Sequence, residues 1–297
     1  MKITQGLMAG KVHVSLEMFP PKSFESIVQV QGIAAEMACL KPSFISVTYG
    51  AGGISAPSYT MEVAKSVQAA GCEPLFHLTC VNAVKEDIDD VLQSLAQAGI
   101  DNVLALRGDI PAGETFPGER QYAHAAQLIA QIKQTGAFCV GAACYPEGHP
   151  EAPSRDTDLD FLRAKVDAGA DFLTTQLFFD NNILYNFLYR AMRKGIRVPV
   201  CAGIMPVVNA GQIKRICALS AATLPPRFAA IIDRFGGDKR SMAQAGIAFA
   251  TEQIIDLVAN GISNIHIYTM NRPEIAGAIF SNLSHIIGNE KEVAYDS

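Results

Sequence analysis

The chain has 297 residues, 49% of them hydrophobic, with a formal net charge of −5 and an isoelectric point near 5.7. That length suits two small domains or one large α/β barrel, and the apolar share is ample for a sizeable core. The acidic balance argues against nonspecific nucleic-acid binding, which needs a basic face to neutralise phosphates, but leaves small anionic ligands open through local basic residues.

Met1 to Val14 contain no apolar stretch long enough for a signal peptide. Nowhere do about 18 apolar residues run together as a membrane span requires, so the expectation is a cytoplasmic protein with no membrane partner. The seven cysteines (Cys39, Cys72, Cys80, Cys139, Cys144, Cys201, Cys217) are odd in number and lack C-x-x-C spacing. They signal neither a disulfide framework nor a zinc site and read as small buried hydrophobes.

The first strand-like run, Val12–Phe19, ends at Pro20 and Pro21 and is interrupted by Glu17. An unpaired charge is costly to bury, so such a carboxyl has a partner, contacts a ligand or stays protonated, as a general acid does. The second run, Phe44–Tyr49, leads into Gly50-Ala51-Gly52-Gly53, which lacks the full dinucleotide fingerprint and reads as a flexible βα loop. Six more runs follow: Leu75–Cys80, Val103–Leu106, Cys139–Tyr145, Phe172–Phe179, Val198–Ile204 and Ile265–Met270. Between them apolar residues recur at helical spacing, as in Ile88, Val91, Leu92 and Leu95, or Leu128, Ile129 and Ile132, or Ile254, Ile255 and Val258.

Runs recurring mostly at about 25 to 40 residues match a strand plus a crossover helix and predict a parallel sheet. The longer gap between the seventh and eighth holds Thr223 to Asp238, which reads as an insertion in the seventh βα connection. Eight units without a Pro/Gly-rich linker favour one (β/α)8 TIM barrel spanning residues 1–297 as a single domain. A doubly wound Rossmann sheet would place G-x-G-x-x-G after its first strand, where this chain has Phe19-Pro20-Pro21-Lys22.

In such a barrel the active site lies at the C-terminal ends of the strands, and those ends are polar throughout. Glu17 stands at the first, Thr48-Tyr49 at the second, His77 and Thr79 at the third, and Arg107-Gly108-Asp109 at the fourth. Tyr145 with His149 follows the fifth, Gln176 the sixth and Asn271-Arg272 the eighth. Singly each has a plain structural explanation. Glu17 could pair with Lys22 or Arg272, Arg107-Gly108-Asp109 could be a surface turn, and His77 a satisfied core histidine. Gln176 is harder to dismiss, because a buried amide needs several partners. His13, His77, His124, His149, His266 and His285 form no i,i+4 ligand pair, and neither H-E-x-x-H nor G-x-S-x-G is present, so no metal is expected. A pocket with an acid, an anion or base, amides and cations suits an organic cofactor.

Taken in order, several motifs resemble the methylenetetrahydrofolate reductase family, in its bacterial single-domain form. They are Leu16-Glu17-Met18-Phe19-Pro20-Pro21-Lys22, Val47-Thr48-Tyr49-Gly50, Ala105-Leu106-Arg107-Gly108-Asp109, Tyr145-Pro146-Glu147-Gly148-His149-Pro150, Thr175-Gln176-Leu177-Phe178-Phe179-Asp180, Gly203-Ile204-Met205-Pro206 and Tyr268-Thr269-Met270-Asn271-Arg272. The resemblance implies a FAD enzyme that accepts hydride from NADH or NADPH and passes it to 5,10-methylenetetrahydrofolate by a ping-pong route. It also implies a homo-oligomer. By the same resemblance Glu17 is the general acid that opens the folate ring to an iminium, and Asp109 is the charge beside flavin and pterin. Thr48, His77, Arg107, Gly108, Asp109, Tyr122, Ala123, Tyr145, His149, Asp158 and Lys165 match cofactor positions, and Gln176, Gln212 and Arg272 match folate positions. Leu16, Met18 and Leu177 replace the family's usual aromatics with other apolar residues, and Ile216 stands where some relatives carry an aromatic against folate or nicotinamide. Another flavin barrel, of the proline dehydrogenase kind, or a non-catalytic folate-binding protein are the alternatives left open.

Overall fold

Side chains on successive strand residues point to opposite faces, and in this chain the period-two alternation decides what lies inside the sheet and what lies outside. A computed structural model describes residues 1–8, 10–21, 23, 26–49, 57–81, 83–110 and 116–288. The eight strands are β1 (His13–Met18), β2 (Ile45–Val47), β3 (Pro74–Thr79), β4 (Asn102–Leu106), β5 (Cys139–Cys144), β6 (Phe172–Thr175), β7 (Val200–Ile204) and β8 (Asn264–Tyr268). They pair in parallel in sequence order and close into a barrel, β8 returning to β1. The expected barrel is therefore present. A short N-terminal helix, α1 (Thr4–Leu7), precedes β1, and the first six crossovers are α2 (Ile27–Ala38), α3 (Pro57–Ala69), α4 (Lys85–Ala98), α5 (Ala125–Gln134), α6 (Arg155–Asp167) and α7 (Asn181–Arg193).

Leu16, Met18, Ile45, Val47, Phe76, Leu78, Val103 and Ile267 face outward into the layer between sheet and helices, where they meet helix residues such as Val30, Ile88, Leu128 and Ile254. The opposite parity points into the barrel. At its lower end Phe44, Leu75, Leu104, Cys139, Phe172 and Cys201 form a separate apolar cluster that Ile3 and Leu7 of the N-terminal segment close from below. Gly141 is required there, since a Cβ on it would come within 2.5 Å of the Phe172 ring.

Several strands stop short of the apolar runs. Tyr49, Tyr145, Gln176 and Met270 all lie beyond the last paired residue, because the chain leaves the ladder as it enters the loops of the mouth. At β8 the exit is sharp, with Met270 and Asn271 both at φ 54°. The seventh connection carries three helices, α8 (Ala210–Ser220), α9 (Pro226–Phe235) and α10 (Lys239–Ala259). The predicted insertion is thus largely helical: Pro226 occupies the first turn of α9, and Phe228 stacks on Phe249 with ring centroids 4.1 Å apart. The last helix among the described residues is α11 (Pro273–Asn282). Lys22 and the Gly50-Ala51-Gly52-Gly53 loop lie outside the described residues. No helix among the described residues is long and apolar enough to cross a membrane.

Candidate active site

Above the apolar floor the inward-facing positions turn polar. Ser15 and Glu17 of β1, Ser46 of β2, His77 of β3, Thr174 of β6 and His266 of β8 occupy the upper interior, brought level by the parallel register of Glu17 with Ser46 and Ser15 with His266. These pairings assemble a hydrogen-bonded chain under Glu17. Ser46 Oγ lies 3.5 Å from Glu17 Oε2 and 3.3 Å from His266 Nε2. His266 Nδ1 is 2.8 Å from Ser15 Oγ, which donates to the Ile265 carbonyl at 3.0 Å. Having spent its proton on that carbonyl, Ser15 accepts from His266 Nδ1–H. Ser46 then has one hydroxyl proton to share between two acceptors, and the chain is fully satisfied only when Glu17 or His266 carries a further proton toward it.

Glu17 is 19% exposed, with the Nε2 atoms of His77 and His266 each 3.8 Å from Oε2. Arg272, one of the two partners considered for Glu17, is instead bound to Glu274, Nε to Oε1 at 2.8 Å, because the positive φ values after β8 carry it out to the start of α11. The neighbours of Glu17 are therefore imidazoles rather than an arginine. Burial pushes the His77 pKa down to about 4, against the upward pull of Glu17 and with a further downward push from His266. Among the described residues its Nε2, together with Thr48 Oγ1 and Thr174 Oγ1, is buried without a hydrogen-bond partner. Leaving such an atom unpaired costs about 1–3 kcal/mol, so three of them facing one space mark a site built for a polar ligand.

That space is a cavity of about 1060 Å³ at the barrel mouth. Glu17, Thr48, His77, Arg107, Gly108, Asp109, Tyr145, His149, Asp158, Lys165 and Gln176 all line it, so eleven residues singled out from the sequence converge. Gly108 takes φ +90°, and a Cβ there would lie 2.6 Å from Val81, so glycine is needed where the chain turns between Arg107 and Asp109. The Arg107 guanidinium grips Glu151 with both nitrogens, at 2.5 and 2.8 Å, and this hydrogen bonding raises its pKa further. Lys165 Nζ donates to the Ala143 carbonyl at 2.9 Å, and burial lowers its pKa. Burial likewise raises Asp158, against the His149 backbone N–H and Lys165, and pushes Tyr145 up to about 12 with help from Asp109 and Asp158. Tyr145 and His149 meet edge to face at 4.6 Å. The Gln176 amide is oriented by its Oε1 accepting from the Leu177 N–H at 2.9 Å.

Tyr122, Ala123, Gln212 and Arg272 stand outside the cavity lining. The Tyr122 ring lies beneath the Lys85 ammonium at 5.3 Å, the Ala123 N–H donates to Gln127, and Gln212 is exposed on the first turn of α8. Ile216, also on α8, packs beside the cluster around Phe228. Sequence reasoning passed over Ser15, Ser46, His266, Thr174 and Tyr268. The Tyr268 hydroxyl donates to the Thr175 carbonyl at 2.5 Å, an approach that Gly203 permits, since a Cβ there would fall 2.4 Å from that oxygen. Counting by twos from Glu17 identifies Ser15, whereas Ser46 and His266 need the cross-strand register. Among the described residues no group of three His, Cys, Asp or Glu side chains could hold a metal ion.

The model of the family described as methylenetetrahydrofolate reductase matches residues 2–284. The chain is 33% identical over 288 residues to the 5,10-methylenetetrahydrofolate reductase of Pectobacterium carotovorum subsp. carotovorum, covering 97% of this chain and 94% of that protein. With the Escherichia coli strain K12 enzyme of the same name it shares 34% over 275 residues, 92% of this chain and 91% of the other. A maize protein named methylenetetrahydrofolate reductase (NADH) 1 is 36% identical over 96% of this chain, which spans 50% of the maize protein's length. Among solved structures, an uncharacterized Clostridium thermocellum protein that binds two copies of 5-methyl-5,6,7,8-tetrahydrofolic acid superposes with a TM-score of 0.65 at 12% identity, over 96% of this chain and 99% of that one. At that identity the likeness establishes the shared fold. The match along nearly the whole sequence, together with full-length relatives at about a third identity, makes this chain a member of the methylenetetrahydrofolate reductase family of oxidoreductases.

Proposed function

We infer that the chain is a FAD-dependent enzyme that reduces 5,10-methylenetetrahydrofolate to 5-methyltetrahydrofolate with electrons from NADH or NADPH, the two reactants using the cofactor in turn. The observation that carries this reading is one cavity in which Glu17 and Asp109, three orphaned polar atoms, and the cations Arg107 and Lys165 converge. Its volume of about 1060 Å³ lies just above the roughly 300–1,000 Å³ usual for ligand pockets, as a dinucleotide beside a second reactant requires.

The donor set fits a flavin dinucleotide. Thr48 Oγ1, His77 Nε2 and Thr174 Oγ1 offer the unpaired polar atoms that a ring bearing carbonyls and ring nitrogens would satisfy, and Arg107 and Lys165 suit a pyrophosphate. Bound FAD would supply a two-electron carrier that accepts hydride from a reduced nicotinamide and releases it to the folate methylene carbon. The remaining roles belong to the chain. Glu17 delivers a proton to the folate ring nitrogen, which opens the five-membered ring, and the Ser46–His266–Ser15 network beneath it holds the carboxyl in place and can accommodate that proton on either side of Ser46. Asp109, exposed at the rim, provides negative charge that favours the cationic iminium form of the substrate. Gln176 pairs with the pterin edge from within the cavity, while Gln212 and Arg272 meet the substrate from beyond its present lining.

An anaerobic titration tests this directly. Purified protein reconstituted with FAD is expected to lose its flavin absorbance on addition of NADH or NADPH and regain it with methylenetetrahydrofolate. Protein that takes up no flavin, or whose flavin stays bleached in the presence of the folate, would refute the proposal.

A further inference from the structure

The β1–β8 ladder ends with Glu17 opposite Tyr268, because the left-handed residues Met270 and Asn271 bend the chain away from the sheet just afterwards. Backbone groups of β1 beyond that point still face β8 and need partners that the departing main chain no longer supplies. Side chains continue the ladder in its place. Thr269, 2% exposed, donates its hydroxyl to the Glu17 carbonyl at 2.6 Å. Asn271 brackets Phe19 with both ends of its amide: Oδ1 accepts the Phe19 N–H at 2.9 Å, and Nδ2 donates to the Phe19 carbonyl at 2.8 Å. Pro20 and Pro21 follow and offer no N–H, so Phe19 is where such a grip has to be made.

The turn itself is strained. Two successive non-glycine residues at φ 54° are backbone of the kind found where the surrounding structure holds a functional site in place. Asparagine tolerates this conformation better than most side chains, so its place in the turn and its grip on β1 are compatible. Met270, the other left-handed residue, is 43% exposed and lines the same cavity as Glu17.

We propose that Thr269 and Asn271 are positioning residues for Glu17: the exit from β8 clamps the backbone that carries the carboxyl and so sets its reach to the folate ring nitrogen. This rests on the reading of Glu17 as proton donor given above. A general acid must lie within hydrogen-bond reach of the atom it protonates, and a misplacement of ~1 Å can cost roughly 10²-fold in rate. The clamp acts through the main chain of residues 17–19, so the folate half-reaction depends on it and reduction of the flavin does not.

The test follows each half-reaction of the FAD-reconstituted protein by anaerobic rapid mixing for Thr269→Val, Thr269→Ser and Asn271→Gly, with the valine and glycine changes repeated in a Glu17→Gln background. Serine keeps the hydroxyl that valine removes, and glycine keeps the left-handed turn while removing the amide. Thr269→Val and Asn271→Gly are expected to slow reoxidation by methylenetetrahydrofolate by about 10- to 10²-fold and to leave reduction by NADH or NADPH unchanged, while Thr269→Ser keeps the wild-type rate. In the Glu17→Gln background neither change should slow the folate step further, since the carboxyl they position is gone. Equal slowing of both half-reactions, a loss repeated in full in Glu17→Gln, or no slowing at all would overturn the proposal. Should Asn271→Gly not fold, Thr269→Val against Thr269→Ser decides it by the same criteria. A wild type without folate-dependent reoxidation, or a Glu17→Gln variant as fast as wild type, would instead remove the reading of Glu17 itself, an outcome visible before any clamp variant is compared.

Discussion

Two layers of one barrel interior, with Phe44 below Ser46, Leu75 below His77 and Phe172 below Thr174, are built on opposite principles. The lower layer is Phe44, Leu75, Leu104, Phe172 and Cys201 under the cover of Ile3 and Leu7, all buried and apolar. The upper layer is Ser15, Ser46, His77, Thr174 and His266 beneath Glu17, and three polar atoms of the cavity around it have no hydrogen-bond partner among the described residues. The layers touch where the Phe44 ring stacks on His266, centroids 5.8 Å apart and planes 17° off parallel. The lower layer gives a rigid base through packing alone. The upper layer carries unsatisfied polar atoms that cost stability in the ligand-free protein, a cost that active sites commonly impose and that the apolar layers must offset.

The comparison can be broken from below first. Phe172→Ala removes a ring with no measurable exposure from the floor and is expected to cost about 3–5 kcal/mol in urea unfolding, with the activity of the folded fraction little changed. A loss of less than about 1 kcal/mol would mean the floor is not a packed support.

The next effect comes from the upper layer and is pH-dependent. His77 titrates near 6.5 when the chain is unfolded but near 4 when folded, so the folded state resists protonation. The stability from keeping His77 neutral is complete above pH 6.5 and is lost as pH falls toward 4, by about 3 kcal/mol in all. Unfolding midpoints across that window should fall less steeply for His77→Gln than for wild type; identical acid limbs would show that His77 is not the group responsible.

Thr174→Val should produce the smallest change. It removes an orphaned hydroxyl while keeping the side-chain shape, so stability should stay level or rise by up to about 1 kcal/mol while flavin affinity drops severalfold. Destabilisation without any effect on flavin would assign Thr174 to the supporting layer.

The barrel was legible because its strands are short β-branched and aromatic runs between periodic helices, and because a parallel sheet covered on both faces needs them to be apolar. Glu17 was legible for the converse reason, as a charge within such a run. Its true surroundings were not, since Ser46 and His266 reach it through the register of β1 with β2 and β8, a relation between segments up to 251 residues apart. Arg272 illustrates the same limit: two left-handed residues after β8 turn it toward Glu274, and no local pattern announces them. Gln212 and Ile216 ride on α8, whose placement depends on how α9 and α10 pack in the seventh connection.

The most direct test of the division between a supporting floor and a chemical upper layer is Glu17→Gln, with each half-reaction followed separately by anaerobic rapid mixing. Flavin reduction by NADH or NADPH should continue at close to the wild-type rate, while reoxidation by methylenetetrahydrofolate falls by about 10²–10⁴-fold, the range for loss of a general acid. Equal slowing of both steps, or retention of both, would contradict the assignment of Glu17 as the proton donor to folate.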